Sequence, residues 1–336
     1  MTEVKRDPLL AGLKRVLPCV AGKDSRVEVY KCVRVEEGKL YTFDGNQGAV
    51  TASGLPDNLK FGVNAEALAA VLSAFAEEIN LELDGSLKLY SGKTKADLPL
   101  VPDDQDWPEF LGAEQNDLIT AENFFEALQS AAFCLDANSV RTSIPPHVLV
   151  KDSFMYTTDG VRACKVKLDT PATRITRLPL EFVRLLLKQG KPDFLFEGNG
   201  IGAVYAETAT LYVTREIKTP DYSERLSDGF LATNQEYDLP DWSKPLSFAG
   251  GVSSGRDEKV SVEISNGQAR IAYQNKDTKI RVEQTVPCPG GQSFHSNLRF
   301  LSQAIAQNPT KIDFGGLPNR LRFARDGWEH LLALNV

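Results

Sequence analysis

Histidine and methionine are scarce in this chain, three and two in 336 residues, and its five cysteines never fall in a CxxC pair. That scarcity excludes whole classes of chemistry. His147, His295 and His330 have no metal-ligand spacing, and Cys19, Cys32, Cys134, Cys164 and Cys288 are scattered and odd in number. Neither a zinc site nor a disulfide framework is expected, no metal or cofactor is implied, and the sulfurs read as reduced packing residues. Serine and cysteine also lack a partnered base, so nucleophilic catalysis has no support. Missing too is any apolar run long enough to cross a bilayer, and Met1 to Pro8 is charged where a secretion signal would be apolar. The expectation is a cytoplasmic protein without membrane contact. Nor is there a basic excess: Lys and Arg number 38 against 45 Asp and Glu, a net charge of −7. That disfavours coating nucleic acid with the whole surface and leaves room for a locally basic face.

Two local patterns invite an enzyme reading and fail. Gly198-Asn199-Gly200-Ile201-Gly202 resembles a phosphate loop, but Phe194-Leu195-Phe196 precedes it, Val204-Tyr205 follows, and no helix is there to meet a phosphate; it reads as a hairpin turn. Asp103, Asp104 and Asp106 form an acidic cluster in a Pro-flanked loop, read as solvated rather than metal-binding. No enzyme is expected.

What the chain does contain is an internal echo. Asp44-Gly45, Asp159-Gly160 and Gln274-Asn275 each close a similar strand, and Asp84-Gly85, Asn199-Gly200 and Gly315-Gly316 recur at nearly the same interval of about 115 residues. Each copy reads as helix, hairpin, helix, hairpin: Leu9 to Leu17, Val27 to Val35 with Lys39 to Phe43, Asn64 to Phe75, and Ile79 to Leu89 in the first. The second runs through Ala121 to Leu135, Val148 to Val150 with Phe154 to Thr158, Leu180 to Lys188 and Phe194 to Val213. Less regular, the third has a weak helix at Pro245 to Val252, a hairpin from Val260 to Tyr273, a helix from Asn297 to Gln307, and strands at Lys311 to Phe314, Leu321 to Phe323 and Leu331 to Leu334. Linkers are expected at Leu111 to Asp117 and Ser227 to Glu236. The class is α+β, with three tandem domains at residues 1–115, 116–226 and 227–336. Free sheet edges at both ends would invite pairing with another chain and closure into a ring.

Thr158-Asp159-Gly160-Val161-Arg162-Ala163, Pro220-Asp221-Tyr222, Asp106-Trp107-Pro108, Asn297-Leu298-Arg299-Phe300-Leu301 and the terminal strand Leu331 to Val336 carry a family resemblance in order and spacing. Over its full length the chain resembles the bacterial DNA sliding clamp, the β subunit of the replicative polymerase, in a divergent, phage-like version. The resemblance implies three copies of a clamp domain, antiparallel sheets outside and two helices per domain inside, in a head-to-tail homodimeric ring around double-stranded DNA. It implies no active site. Its partners would be the replicative DNA polymerase, the clamp-loader ATPase and other clamp-motif proteins. The runner-up is a non-encircling three-domain adaptor of the same fold.

By position, the resemblance implies a partner-peptide pocket lined by Ile144, Thr158, Gly160, Val161, Arg162, Ala163 and Pro220, with Asn297, Phe300, Pro318, Leu331, Leu332, Ala333 and Leu334 from the third domain. Val161 stands where the family usually has His, and Ala333-Leu334-Asn335 replaces a Met-Pro-Met-like end, so altered selectivity is expected. No role passes to Arg225, because Ser223-Glu224-Arg225 fits the family in two registers. Lys14, Arg15, Arg184, Lys188 and Arg299 are the candidates for facing DNA, although Ala121 to Leu135 carries no Lys or Arg. Trp107, Phe110 and Val252 are the candidates for the dimer interface.

Overall fold

The computed structural model describes residues 1–102, 107, 117–119, 121–135, 146–197, 200–215, 217–253, 255, 258–275, 277–316 and 318–334. Along the chain run β1 (Thr2–Lys5), α1 (Arg6–Val16), β2 (Cys32–Glu36), β3 (Lys39–Phe43), β4 (Gln47–Ala52), β5 (Phe61–Asn64), α2 (Ala65–Ala74), β6 (Glu78–Leu83), β7 (Ser86–Ser91) and β8 (Thr94–Pro99). There follow β9 (Asp117–Leu118), α3 (Phe124–Ala132), β10 (His147–Lys151), β11 (Phe154–Thr158), β12 (Arg162–Lys167), β13 (Thr176–Pro179), α4 (Leu180–Gln189), β14 (Phe194–Glu197), β15 (Gly200–Tyr205) and β16 (Thr210–Arg215). The remainder is α5 (Ser223–Ser227), β17 (Glu236–Asp238), α6 (Ser243–Val252), β18 (Lys259–Ser265), β19 (Gln268–Gln274), β20 (Arg281–Pro287), β21 (Phe294–Asn297), α7 (Leu298–Ile305), β22 (Lys311–Asp313), β23 (Arg320–Arg325) and β24 (Trp328–Ala333).

Two compact units divide the chain. One comprises Met1–Thr120 with Arg184–Glu216, the other Ala121–Val183 with Ile217–Val336. Each holds a four-stranded and an eight-stranded antiparallel sheet. In the first unit the orders are β1-β6-β7-β8 and β5-β2-β3-β4-β16-β15-β14-β9; in the second, β20-β19-β18-β21 and β13-β10-β11-β12-β24-β23-β22-β17. Helices lie against the sheets, burying Leu9, Leu13 and Val16 of α1, Leu68 and Leu72 of α2, Phe124, Leu128 and Ala131 of α3, and Leu298 and Leu301 of α7. The mixed α+β reading therefore holds.

Asn64 and Asn297 start α2 and α7 by accepting the amides of Ala67 and Phe300, the side-chain cap that Asn favours. One expected strand is shorter than the apolar alternation suggests: Glu28–Lys31 forms a 3-10 turn, and β2 begins only at Cys32. The Lys31–Glu28 ion pair and a Cys32 Sγ bond to the Glu28 carbonyl favour that turn. All five cysteines are buried and unbonded to one another.

Candidate functional site

The second unit's eight-stranded sheet gathers most of the residues singled out in the sequence. At the β11–β12 turn, Asp159 Oδ1 accepts the amides of Val161 at 3.0 Å and Arg162 at 2.7 Å. Gly160 takes φ 84, a conformation that costs glycine little. Asp159 Oδ2 takes Nε and Nη2 of Arg162 at 2.9 and 2.7 Å, and both side chains are buried. The Arg162 guanidinium lies 4.3 Å from the Phe300 ring centre and 5.9 Å from that of Phe133, and also donates to Gln303. Arg162 is thus an internal staple, a buried charge whose Nε and Nη2 both donate to one oxygen of a buried carboxylate.

β24 pairs beside β12, Arg162 opposite Leu332 and Ala163 opposite Leu331, and the Ala333 amide donates to the Val161 carbonyl. Strand alternation sends these neighbours to opposite faces. Arg162, Cys164, His330 and Leu332 share the face carrying Thr157, which donates to the Ala131 carbonyl of α3. On that side the Cys134 thiol sits 3.4 Å from His330 Nδ1, with His330 flanked by Phe133 and Trp328. Burial opposes ionisation of Cys134, yet Cys164, His330 and Arg162 together bring its pKa down to about 6.

Ala163 and Leu331 lie on the other face, with Phe230, and Tyr156 and Leu226 pack against them. This second group is a small buried cluster with an apolar margin: Ala163, Phe230 and Leu331 are buried, Tyr156 and Leu226 are half-buried, and Leu231 beside Phe230 is 67% exposed. Its wall is α5 and the 3-10 turn Asp228–Phe230, of which Ser227 to Phe230 falls in the expected linker. Asp221 anchors that wall by accepting the Ser223 amide at 2.8 Å and Lys151 Nζ at 2.7 Å. Gly229 permits the close approach, since a Cβ there would stand 2.5 Å from Leu331 Cδ1.

The expected pocket is therefore divided. Thr158, Ala163, Leu331 and Ala333 share the face of the Phe230 cluster, where Ala163 and Leu331 are buried and Thr158 and Ala333 half-buried, whereas Val161, Arg162, Phe300 and Leu332 lie elsewhere, buried or half-buried. Asn297 caps α7, Leu334 is buried with its amide on the Asn319 carbonyl, and Gly160, Pro220 and Pro318 are exposed. Ile144 lies outside the described residues. So does Phe110. Trp107 lies over Gly62 of β5, where an added Cβ would collide with its ring, and Arg34 stacks on it at 5.9 Å. Val252 ends α6, half-buried, and one turn earlier Phe248 is 63% exposed. Sequence reasoning missed Phe248, although a Phe–Val pair four residues apart on a helix was the available signal. Lys14, Arg184 and Lys188 are exposed on α1 and α4, while Arg15 and Arg299 are half-buried. Among the described residues no group of three or more His, Cys, Asp or Glu could hold a metal ion, and no helix is long and apolar enough to cross a membrane.

This arrangement of sheets matches solved DNA polymerase III β structures along nearly the whole chain. Caulobacter crescentus pol III beta superimposes with a TM-score of 0.80 at 14% identity, covering 98% of each chain. The DNA polymerase III subunit beta of Pseudomonas aeruginosa gives 0.77 at 17% identity, again covering 98% of each. The Helicobacter pylori beta clamp bound to a DNA ligase peptide gives 0.79 at 15% identity, covering 99% of each. No protein-family model and no curated protein sequence matches the chain. The fold is that of the bacterial sliding clamps, reached at a sequence identity where fold alone is legible.

Proposed function

We propose that this protein is a DNA sliding clamp: a head-to-tail homodimer of three-domain chains, bounded near residues 115 and 226, that encircles duplex DNA and tethers a polymerase. The observation that carries the reading is the half-buried apolar margin of Tyr156 and Leu226 over the Ala163, Phe230 and Leu331 cluster, in a fold shared with a clamp solved with a DNA ligase peptide. Its chemistry is binding. Burial of two apolar peptide side chains is worth roughly 3–6 kcal/mol before ordering costs, which suits micromolar, exchangeable partners such as a polymerase, a loader ATPase and repair proteins.

Assembly is supported by two sheet edges that have no partner strand among the described residues. β8 ends one four-stranded sheet and β20 ends the other, each with most of its residues exposed or half-exposed, and Phe248 lies exposed on α6, which packs on β20. Such edges pair readily with another chain. Lys14, Arg15, Arg184, Lys188 and Arg299 would face the DNA, where weak phosphate contact suits sliding. Light scattering at micromolar concentration tests the ring. A particle of twice 37.0 kDa that Phe248→Asp converts to monomer is the expected result. A native monomer would overturn the ring and leave the adaptor.

A further inference from the structure

The helix-covered face of the second unit's eight-stranded sheet brings together two thiols and an imidazole that partner binding does not use. Cys134, just past the end of α3, Cys164 on β12 and His330 on β24 are all fully buried, and Cys164 pairs opposite His330. The Cys134 thiol lies 3.4 Å from His330 Nδ1 and is in side-chain hydrogen-bond contact with the Cys164 thiol, which itself lies 3.7 Å from the Ser130 carbonyl. His330 has no competing partner: among the described residues its Nε2 makes no hydrogen bond, and Phe133, Phe323 and Trp328 enclose the ring. Nδ1 is therefore left to the sulfur. Burial opposes a thiolate there, but Cys164, His330 and Arg162 together favour it. Buried cysteines are ordinarily inert because burial keeps the thiol protonated. That describes the other three. Cys32 Sγ donates to the Glu28 carbonyl and Cys288 Sγ to the Gly290 carbonyl, Cys19 feels the Asp44 carboxylate, and burial pushes the pKa of each up.

We propose that this trio is a redox-modification site, at which a small peroxide oxidises Cys134 and Cys164 to a disulfide with His330 as the base. Full burial limits the oxidant to one of about water's size, hydrogen peroxide rather than a bulky disulfide, entering on local opening. His330 Nδ1 takes the Cys134 proton and the sulfur attacks one peroxide oxygen; the O–O bond breaks, an S–O bond forms, and the leaving hydroxide recovers the proton from His330 as water. The Cys164 sulfur then attacks the sulfenic sulfur of Cys134, an S–S bond replaces the S–O bond, and the Cys164 proton leaves with the hydroxide as a second water. Two thiols lose two electrons and the peroxide gains them. The new bond ties the end of α3 to β12.

Peptide mapping of the folded protein after brief exposure to hydrogen peroxide, removal of the excess with catalase and alkylation in denaturant tests the site. The expected product has lost two hydrogens, alkylates at three of its five thiols, and yields one dithiothreitol-sensitive linked peptide pair carrying Cys134 and Cys164. His330→Gln should slow that linkage at least about tenfold while Cys19, Cys32 and Cys288 keep their reactivity. Cys164→Ser should stop at a Cys134 sulfenic acid, captured by dimedone. Five intact thiols, oxidation spread over all five cysteines, or linkage at an undiminished rate in His330→Gln overturns the proposal. The first two outcomes are read on the unaltered chain, so they decide whether or not a variant folds.

Discussion

The two eight-stranded sheets are built on one plan and differ where it counts. In the first unit Asp44 Oδ1 accepts the amides of Asn46 and Gln47 at 2.8 Å each, as Asp159 does for Val161 and Arg162 in the second. β16 pairs with β4 as β24 pairs with β12, so Gly48 opposite Val213 matches Ala163 opposite Leu331, and Arg215 matches Ala333. Yet Arg215 lies over the Phe43 ring at 5.2 Å, and the corresponding pair in the second unit is Ala333 with Thr158. A large cation–aromatic pair occupies the place that two small side chains leave open. Beneath the turn the contrast reverses: Gln47 reaches the Pro18 carbonyl with its Oε1 buried and unpartnered, where Arg162 is fully matched. The same backbone carries a cation–aromatic pair in one sheet and, in the other, two small half-buried side chains beside the Phe230 cluster.

Breaking the staple should give the largest effect. Arg162→Ala leaves the Asp159 carboxylate buried without its partner, a change expected to cost about 3–5 kcal/mol. Gln47→Ala at the matching position removes one neutral hydrogen bond and should cost about 1 kcal/mol. Urea unfolding of the two variants checks the ranking, and equal losses would mean that the turns are energetically alike.

Filling the patch should come next. Thr158→Phe with Ala333→Arg copies the Phe43–Arg215 pair into the second unit. Peptide affinity should fall more than tenfold, with the unfolding midpoint lowered modestly because Thr158 Oγ1 no longer donates to the Arg162 carbonyl or accepts the Gly160 amide. Titration of a Leu-Phe peptide reads the first effect and thermal unfolding the second. Unaltered affinity would place the peptide away from the Ala333 end of the patch.

Much of this contrast was legible in the residues. The repeating Asp-Gly turns, the Asn caps before α2 and α7, and the alternation of β6 and β7 gave elements close to those observed. The third turn falls on Asn275, whose Oδ1 accepts the amides of Asp277 and Thr278, one residue beyond its expected start at Gln274. Less legible was the division of the site, because a resemblance transfers positions and not the face to which each side chain points. Arg162 read as a pocket wall, although the three-residue spacing from Asp159 already allowed an ion pair. The wall at Ser223–Phe230 went unread, its end from Ser227 taken as linker, because a five-residue helix and a 3-10 turn are too short to show a period, and Phe230 is buried by partners distant in sequence.

The smallest expected effect concerns how that wall is held. Burial opposes the charge on Asp221, but Lys151 and the Ser223 hydroxyl and amide outweigh it and hold the carboxyl below its ordinary value. A depressed folded pKa stabilises the protein fully above the unfolded value, near 3.9, and the contribution is lost as pH falls through the folded pKa. Asp221→Asn should therefore lower the thermal midpoint by a constant small amount, about 2 °C or less, between pH 7 and pH 5. As pH falls from about 4 through the depressed folded pKa the two proteins should converge, because the unfolded chain takes up its proton first and the native carboxyl last, loosening Lys151 as well. Since Asp221 anchors the wall only in the second unit, Asp221→Asn should also weaken peptide binding at pH 7 more than it shifts the midpoint. A gap in midpoint that widens on acidification would show that the Lys151 pair is not what holds the wall.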